Sequence, residues 1–370
     1  MNKIRVGIIG TGFIGKQHIE AVRRIPNAEV VAVCEHTEQL ARNMADVFGI
    51  DHYFGDVDEM LSAGLDLDVV HNCTPSSMHY ELNKKILSAG VNLYCEKPLT
   101  LTASESEELV RLVKEKGLKG AVNFNYRHNA MVEEMKQRIR NKSIGDVWFI
   151  SAEYLQDWLL RETDFDWRVD AKYGGSSRAI SDIGSHCFDT VQYIMGEKVL
   201  AVRAKRYIAH PMRTVIKDGK EVKVEVQNED AALINLKFES GTEAVVRVSQ
   251  VTSGKKNDFK ILVEGTEQSL EWHQEKPDRL HIGNRDVGNV EIFADAKYLT
   301  GRAKEKINLP NGHAVGWADA FTNAIKSFYE HLKASEPAHY EYVDLEAAHH
   351  IMKLIDACVI SDDSGQWIEV

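Results

Sequence analysis

Val6-Gly-Ile-Ile-Gly-Thr-Gly-Phe-Ile-Gly15 is the stretch on which the reading of this chain turns. The apolar, β-branched run over 4–9 has the composition of a buried strand, and it leads straight into Gly10-Thr-Gly-Phe-Ile-Gly15. Ile19, Val22 and Ile25 follow at helical spacing. A G-x-G-x-x-G carries meaning in this strand–turn–helix context and little outside it. Gly10 permits a tight turn, Gly12 lets the backbone approach a pyrophosphate, and Gly15 lets the helix lie close on the strand. The helix N-terminus, with Phe13 and Ile14 in its first turn, offers N–H groups and a partial positive charge to phosphates. The next apolar run, from Glu29 to Cys34, ends in Glu35, about 20 residues past the last glycine, where the partner of a ribose 2′-hydroxyl is expected. A carboxylate there accepts from the diol of NAD and repels the extra phosphate of NADP; His36 beside it could soften that choice. A glycine-rich turn without a ligand would explain Gly10 to Gly15, but not the carboxylate that follows it. The stretch therefore predicts a dinucleotide fold, with NAD preferred over NADP.

A chain of 370 residues has room for two domains, each with its own core. The net charge of −11, with no basic block, argues against nucleic acid or an anionic membrane as partner. The first strand begins too early to leave room for a signal peptide, and no apolar stretch approaches a membrane span. The five cysteines, Cys34, Cys73, Cys95, Cys187 and Cys358, are scattered and form no C-x-x-C. They read as reduced, buried thiols in a cytoplasmic protein. Neither a flexible linker nor an internal repeat stands out.

Up to about residue 124, strand patterns (4–9, 30–34, 69–73, 92–95, 120–122) alternate with helical ones (14–25, 37–48, 57–63, 78–89, 103–116). This alternation predicts an α/β domain over 1–124, a doubly wound parallel sheet of Rossmann type with helices on both faces. Ligands of such sheets bind beyond the carboxyl ends of the strands. Three strand ends therefore matter: Glu35, Thr74-Pro75 and Glu96-Lys97-Pro98. Thr74-Pro75-Ser-Ser77 reads as a turn with serine capping the next helix, or as a contact to the dinucleotide. His79 either points at the crevice or lies on the surface. Lys97 ends a strand with Glu96 as charge partner and Pro98 restricting the backbone before it. A lysine fixed there can donate to a substrate hydroxyl and stabilise a developing alkoxide.

Past residue 125 the pattern changes. A charged helix is expected over 126–140, a strand over 146–154, a Trp/Asp/Arg-rich loop over 156–170 and a helix over 179–195. Strands with period-two character follow over 201–207, 221–226, 230–238, 243–251, 259–265 and 269–272, and two helices over 316–334 and 344–364 close the chain. Short turns between consecutive strands predict antiparallel pairing. The second domain, 125–370, is thus α+β with a large open, mostly antiparallel sheet; whether its last helices pack back on the first domain stays open. Asp182-Ile-Gly-Ser-His186-Cys-Phe-Asp189 places Asp182, His186 and Asp189 on one helix face. A carboxylate one turn from an imidazole can orient it as a general base for alcohol oxidation. The bland alternative is an ordinary i, i+4 contact on a solvated face, against which Phe188, Val191 and Ile194 suggest burial. No second His or Cys stands at ligand spacing, so no metal site is expected.

Together, the glycine motif at 10–15, Glu-Lys-Pro at 96–98 and Asp-x-Gly-x-His-x-x-Asp at 182–189 resemble the glucose–fructose oxidoreductase/inositol dehydrogenase/MocA family, in its sugar dehydrogenase-like branch. The resemblance covers essentially the whole chain and extends to Asn123-Phe-Asn-Tyr-Arg127, Trp167-Arg168 and Val263-Glu-Gly-Thr-Glu-Gln-Ser269. It implies NAD-dependent oxidation of a secondary hydroxyl of a sugar, polyol or glycoside. Lys97 matches the lysine that hydrogen-bonds the reacting hydroxyl, His186 the catalytic acid/base, and Asp182 its partner or a substrate ligand. Asp189, Tyr154 and His313, the last within Pro310-Asn-Gly-His313, are implied at the substrate. Thr74, Pro75, His79, Glu96, Asn125, Trp167 and Arg168 are implied at the cofactor. The family also implies a homodimer or homotetramer through the second sheet. Many relatives carry Asp where this chain has Glu35. Two other functions share these motifs in part: a glycoside hydrolase that oxidises transiently and regains its NAD, and a non-catalytic NAD and sugar sensor. The retained Lys97, Asp182 and His186 argue against the sensor.

Overall fold

The computed structural model describes residues 3–217, 219–310, 312–334 and 340–370. Asn311, within the Pro310-to-His313 segment, lies outside the described residues. The chain divides into two compact units, one of Met1–Phe124 with Phe321–Met352 and one of Asn125–Ala320 with Lys353–Val370.

The first unit opens with strands β1 (Ile4–Ile9), β2 (Ala28–Cys34), β3 (His52–Phe54), β4 (Val69–Asn72), β5 (Asn92–Cys95) and β6 (Gly120–Val122). Helices α1 (Phe13–Arg23), α2 (Glu38–Phe48), α3 (Val57–Ser62), α4 (His79–Ser88) and α5 (Ala103–Lys116) connect them. The six strands pair in parallel in the order β3-β2-β1-β4-β5-β6. Val6, Ile8, Val33, Val69, Val70 and Leu93 are fully buried, as both-face coverage of a parallel sheet requires. Strand order reverses between β1 and β4, so the turns after these two strands flank the switch point of the sheet. Helix ends follow local chemistry. Thr102 and Glu105 form a reciprocal capping box at the start of α5, and Gly117 ends it in the left-handed region. The serine cap expected at 76–77 is absent. A 3-10 turn, Ser76–Met78, enters α4 instead, and no side chain caps it. Three residues are too few to show an alternation, which is why β3 was not expected.

The second unit carries α6 (Ala130–Arg140), β7 (Val147–Leu155), α7 (Ala171–Gly174) and α8 (Ser185–Met195). Strands β8 (Val199–Tyr207), β9 (Met212–Lys217), β10 (Lys220–Glu225), β11 (Ala231–Phe238) and β12 (Glu243–Ser249) follow. After them come β13 (Asp258–Gly265), β14 (Gln268–His273), β15 (Arg279–Asn284) and β16 (Val290–Phe293). With β18 (Ile368–Glu369) they form a nine-stranded sheet in the order β16-β15-β14-β13-β7-β12-β11-β8-β18, while β9 and β10 pair apart as a hairpin. Every pairing in the large sheet is antiparallel except β7 with β12, so the mostly antiparallel expectation holds. The helix expected over 126–140 is corrected at its start. A 3-10 turn, Asn125–His128, comes first, and Asn129 caps α6 by accepting from Met131 N. The charge of α6 is in part buried: Glu133 and Glu134 are fully buried, paired with Lys306 and Arg138.

Helices α9 (Trp317–Lys333) and α10 (Leu345–Ser364) close the chain, with β17 (Val343–Asp344) between them. Strand β17 pairs antiparallel with β6 and covers that edge of the first sheet. Among the described residues, no helix is long and apolar enough to cross a membrane.

Candidate active site

In the first unit the three glycines of the turn do three different things. Gly10 sits at φ +82°, and a Cβ there would lie 2.9 Å from the Cys73 carbonyl oxygen. At Gly15 a Cβ would fall 2.0 Å from the Gly10 carbonyl oxygen, so α1 can cross the turn only with hydrogen there. Gly12 is different, because a Cβ would meet nothing within 4 Å. The fold alone does not require glycine at 12; a phosphate brought against the backbone does. Helix α1 begins at Phe13 with no side chain capping it and no acidic residue in its first turn. That leaves its N–H groups and dipole for an anion.

Glu35 closes the other side of the turn. Its Oε1 accepts from Thr11 N (2.5 Å) and Thr11 Oγ1 (2.8 Å), and Oε2 lies 3.2 Å from His36 Nδ1. Burial pushes this carboxyl up, but the Thr11 and His36 bonds outweigh it and hold it below the ordinary value. An anion therefore stands at the end of β2, where a ribose diol would need an acceptor.

At the end of β4, Thr74 Oγ1 donates to Asn72 Oδ1 (2.7 Å). His79 is neither on the surface nor free to point at a ligand. It is buried, with Nδ1 2.7 Å from the Pro98 carbonyl oxygen and Nε2 2.9 Å from that of Thr74. It ties the turn after β4 to the turn after β5, and so acts on Thr74, Pro75 and Lys97 from behind. Glu96 is also corrected from a simple charge partner. It is buried, and its Oε1 accepts from His18 Nε2 (2.8 Å) and Asn123 Nδ2 (2.6 Å). Its Oε2 accepts from the Lys97 backbone N–H (3.3 Å). Lys97 follows, half-buried, joined to Pro98 by a cis peptide.

In the second unit Asp182 lies in a π-helical turn, Ile180–Gly184, that leads into α8, where an α-helix was expected. The wider turn changes which residues share a face, so plain i, i+4 spacing does not describe Asp182 and His186; such turns are frequent at functional sites. Asp182 Oδ2 accepts from Gln250 Nε2 (2.8 Å), and Oδ1 lies 3.8 Å from Arg168 Nε. Arg168 also pairs with Asp166 (3.0 Å) and lies 4.3 Å over the Trp167 ring. His186 is buried beside two phenols, edge-on to Tyr126 with ring centroids 4.8 Å apart and tilted to Tyr154 at 6.1 Å. The Tyr126 and Tyr154 hydroxyls are 2.8 Å apart, and both bond Asn257. Burial pushes the Tyr126 phenol up to about 12, with Asp182 adding and the Tyr154 and Asn257 bonds opposing. The Tyr154 phenol is also held well above its ordinary value, again by burial first. Burial thus keeps both phenols in the protonated form at neutral pH.

Asp189 does not face a ligand as expected. It is buried, and both oxygens are held by the Arg127 guanidinium, Nε at 3.0 Å from Oδ2 and a second nitrogen on Oδ1. Asn125 is buried in the 3-10 turn. His313 is exposed, its Nδ1 3.0 Å from the Pro310 carbonyl oxygen. Asn123 and Tyr126 fall in the stretch 123–127 that carried the resemblance but had no role assigned, and His18, Gln250 and Asn257 were missed as supports of the site. The last three act through tertiary contact, and no spacing marks them in the sequence.

A doubly wound sheet with a glycine turn at its switch point and an anchored carboxylate after β2 is a dinucleotide-binding domain. Residues 4–124 match the family model for the oxidoreductase family with an NAD-binding Rossmann fold (GFO_IDH_MocA), and residues 132–271 match the GFO/IDH/MocA C-terminal domain. The chain belongs to the Gfo/Idh/MocA family, and its first unit is an NAD-binding domain. Levoglucosan dehydrogenase of Pseudarthrobacter phenanthrenivorans is 29% identical over 300 residues, covering 76% of each chain. Myo-inositol 2-dehydrogenase of Thermotoga maritima is 28% identical over 336 residues, covering 90% of each. A solved levoglucosan dehydrogenase in complex with NADH and L-sorbose superposes with a TM-score of 0.89 at 26% identity, over 100% of this chain and 99% of that one.

Proposed function

We propose that this protein oxidises a secondary hydroxyl of a sugar, polyol or glycoside to a ketone with NAD. NAD, when bound, accepts the hydride. The turn from Gly10 to Gly15 and the N-terminus of α1 would hold its pyrophosphate, and Glu35 its ribose diol, which favours NAD over NADP. His186 takes the hydroxyl proton as general base. Lys97 donates to the same oxygen and stabilises the negative charge that develops on it. Asp182, itself held by Gln250 and Arg168, orients the hydroxyl and balances the imidazolium. Trp167, Arg168, Tyr154 and His313 are assigned to ligand contact, by family resemblance alone. The observation that carries the reading is the placement of His186, buried against phenols that cannot titrate near neutrality.

The same reading places the protein in the cytoplasm, supported by five buried cysteines that form no disulfide. It also assigns self-association as a homodimer or homotetramer to the outer face of the nine-stranded sheet, where Leu233, Val245 and Leu262 point away from the buried row.

The test is a screen of sugars, inositols, sugar acids and glycosides for growth of NADH absorbance. On the substrate it finds, His186→Ala and Lys97→Ala should each lower turnover by about 10²–10⁴ while NADH binding survives. A His186→Ala enzyme with undiminished turnover overturns the assignment.

A further inference from the structure

Behind Glu96 lies a chain of buried hydrogen bonds that the reaction as written does not use. His18 Nε2 is 2.8 Å from Glu96 Oε1, His18 Nδ1 is 2.8 Å from His71 Nδ1, and His71 Nε2 is 2.8 Å from the Tyr329 hydroxyl. His18, His71 and Tyr329 are all buried. Tyr94 stacks on His71 with centroids 4.7 Å apart and donates to Asn123 Oδ1 (3.0 Å), which fixes the Asn123 amide with its N–H toward Glu96. Phe321 packs edge-on to His18 at 4.8 Å.

Burial, and then the charge of His18, lowers the pKa of His71, so this ring is neutral and carries a single N–H. With Glu96 ionised, and so able only to accept, two arrangements satisfy the chain. Tyr329 donates to His71 and His71 to His18, or His18 donates to His71 and His71 to Tyr329. In both, His18 Nε2–H donates to Glu96. The chain thus delivers a fixed donor to the carboxylate that accepts from the Lys97 backbone N–H.

We propose that His18, His71 and Tyr329 are positioning residues that keep Glu96 an oriented anion and through it set Lys97 for the reaction. The proposal rests on Lys97 acting as assigned above. Burial pushes the Glu96 carboxyl up, and the bond and charge of His18, the Asn123 bond and the Lys97 charge together hold it below its ordinary value. The other titratable groups that sense Glu96 are His79, lowered by burial, and Cys73, Cys95 and Tyr94, all raised by burial and so uncharged. Loss of His18 leaves burial less opposed, so Glu96 takes up a proton at higher pH. Activity should then fail earlier as pH drops.

Four variants, read by the kcat–pH profile and by infrared titration, test this. In His18→Ala the acid limb of the kcat–pH profile should move up by about one unit or more, with kcat down about tenfold and KM for NAD unchanged. His18→Gln keeps a donor for Glu96 and an acceptor for His71, and should restore both. Tyr329→Phe, which removes a single hydroxyl, should give a smaller shift in the same direction. Infrared titration of the protein without substrate should show the protonated carboxyl stretch appearing at higher pH in His18→Ala than in the unaltered chain. Glu96→Gln should lack that band. Superimposable titrations in the two proteins overturn the proposal, as does a kcat loss that follows melting temperature with the pH profile unmoved. The infrared arm needs no turnover, so a failed sugar screen would count against the proposed function and leave this test standing.

Discussion

Gly12 and Gly15 look alike in the motif and differ in what constrains them. A Cβ at 15 would stand 2.0 Å from a carbonyl oxygen of the same turn, whereas a Cβ at 12 would touch nothing. Gly15→Ala should therefore cost at least about 3 kcal/mol, the upper end for forcing atoms into a packed site. Gly12→Ala should melt with the unaltered chain yet bind NADH at least about tenfold more weakly, because its methyl occupies the approach to the pyrophosphate. Thermal melts and NADH fluorescence titrations on both variants check this, and a Gly12→Ala protein of full NADH affinity would contradict it. At this scale the sequence was informative wherever chemistry lies in a contiguous motif. The glycines, Glu35 and Lys97 could be picked out because spacing along one strand–turn–helix unit fixes where they lie. His18 and His71 could not, since 53 positions separate them and only the sheet brings their rings to 2.8 Å. Asp189 misled for a related reason: nothing in its own helix announces Arg127.

The element that carries Asp182 and His186 is held from one side by two consecutive acidic residues. Glu229 Oε1 accepts from Ser177 Oγ, Arg178 N and Ile180 N, each at 2.9 Å, and so caps the start of the π turn. Asp230 pairs with Arg178 and, at 2.7 Å, with Arg213. Arg213 also donates to the Leu159, Arg161 and Asp164 carbonyls, fixing the loop that leads to Trp167 and Arg168. Burial raises the Asp230 carboxyl, but Arg178 and then Arg213 outweigh it, leaving it below the ordinary value. Its contribution to stability is thus present above the unfolded carboxyl pKa of about 3.9 and is lost as pH falls through the lower folded value. Arg213→Met should cost about 3–5 kcal/mol at pH 7 by leaving a buried charge half-compensated, and less near pH 4, where the variant can protonate Asp230. Urea denaturation at the two pH values checks this; an equal penalty at both would remove Asp230 as the cause. Helices and long strands were legible from their periods. The π turn was not, because one extra residue in a helical repeat leaves the apolar pattern almost unchanged. Strands β9, β15 and β16 escaped for another reason, being short and of mixed polarity.

Taken whole, the chain does not divide at a single cut. Residues 1–124 read as a complete domain, because their strands and helices alternate without interruption, and the reading left the role of the last helices open. The structure gives Phe321–Met352 to the same unit. That segment supplies β17 to the edge of β6, the Tyr329 hydroxyl to His71, the His331 carbonyl to Lys119 Nζ (2.6 Å) and His349 Nδ1 to Ser106 Oγ (2.7 Å). Leu345 also lies against Gly120, where an added Cβ would come within 2.7 Å of its side chain. A fragment ending at residue 124 would expose that apolar contact, open the strand edge of β6 and strand the inner end of the histidine chain. Buried polar groups left without partners cost about 1–3 kcal/mol each, and several such losses approach the whole stability of a domain. The fragment 1–124 should therefore fail to unfold cooperatively and should not bind NADH, although it holds every residue of the glycine motif, Glu35 and Lys97. Adding 321–352 through a flexible linker should restore both properties. Circular dichroism melts and NADH fluorescence on the two fragments decide it: a 1–124 fragment that melts sharply and binds NADH as the full chain does would show that the C-terminal segment is dispensable to the fold of its unit.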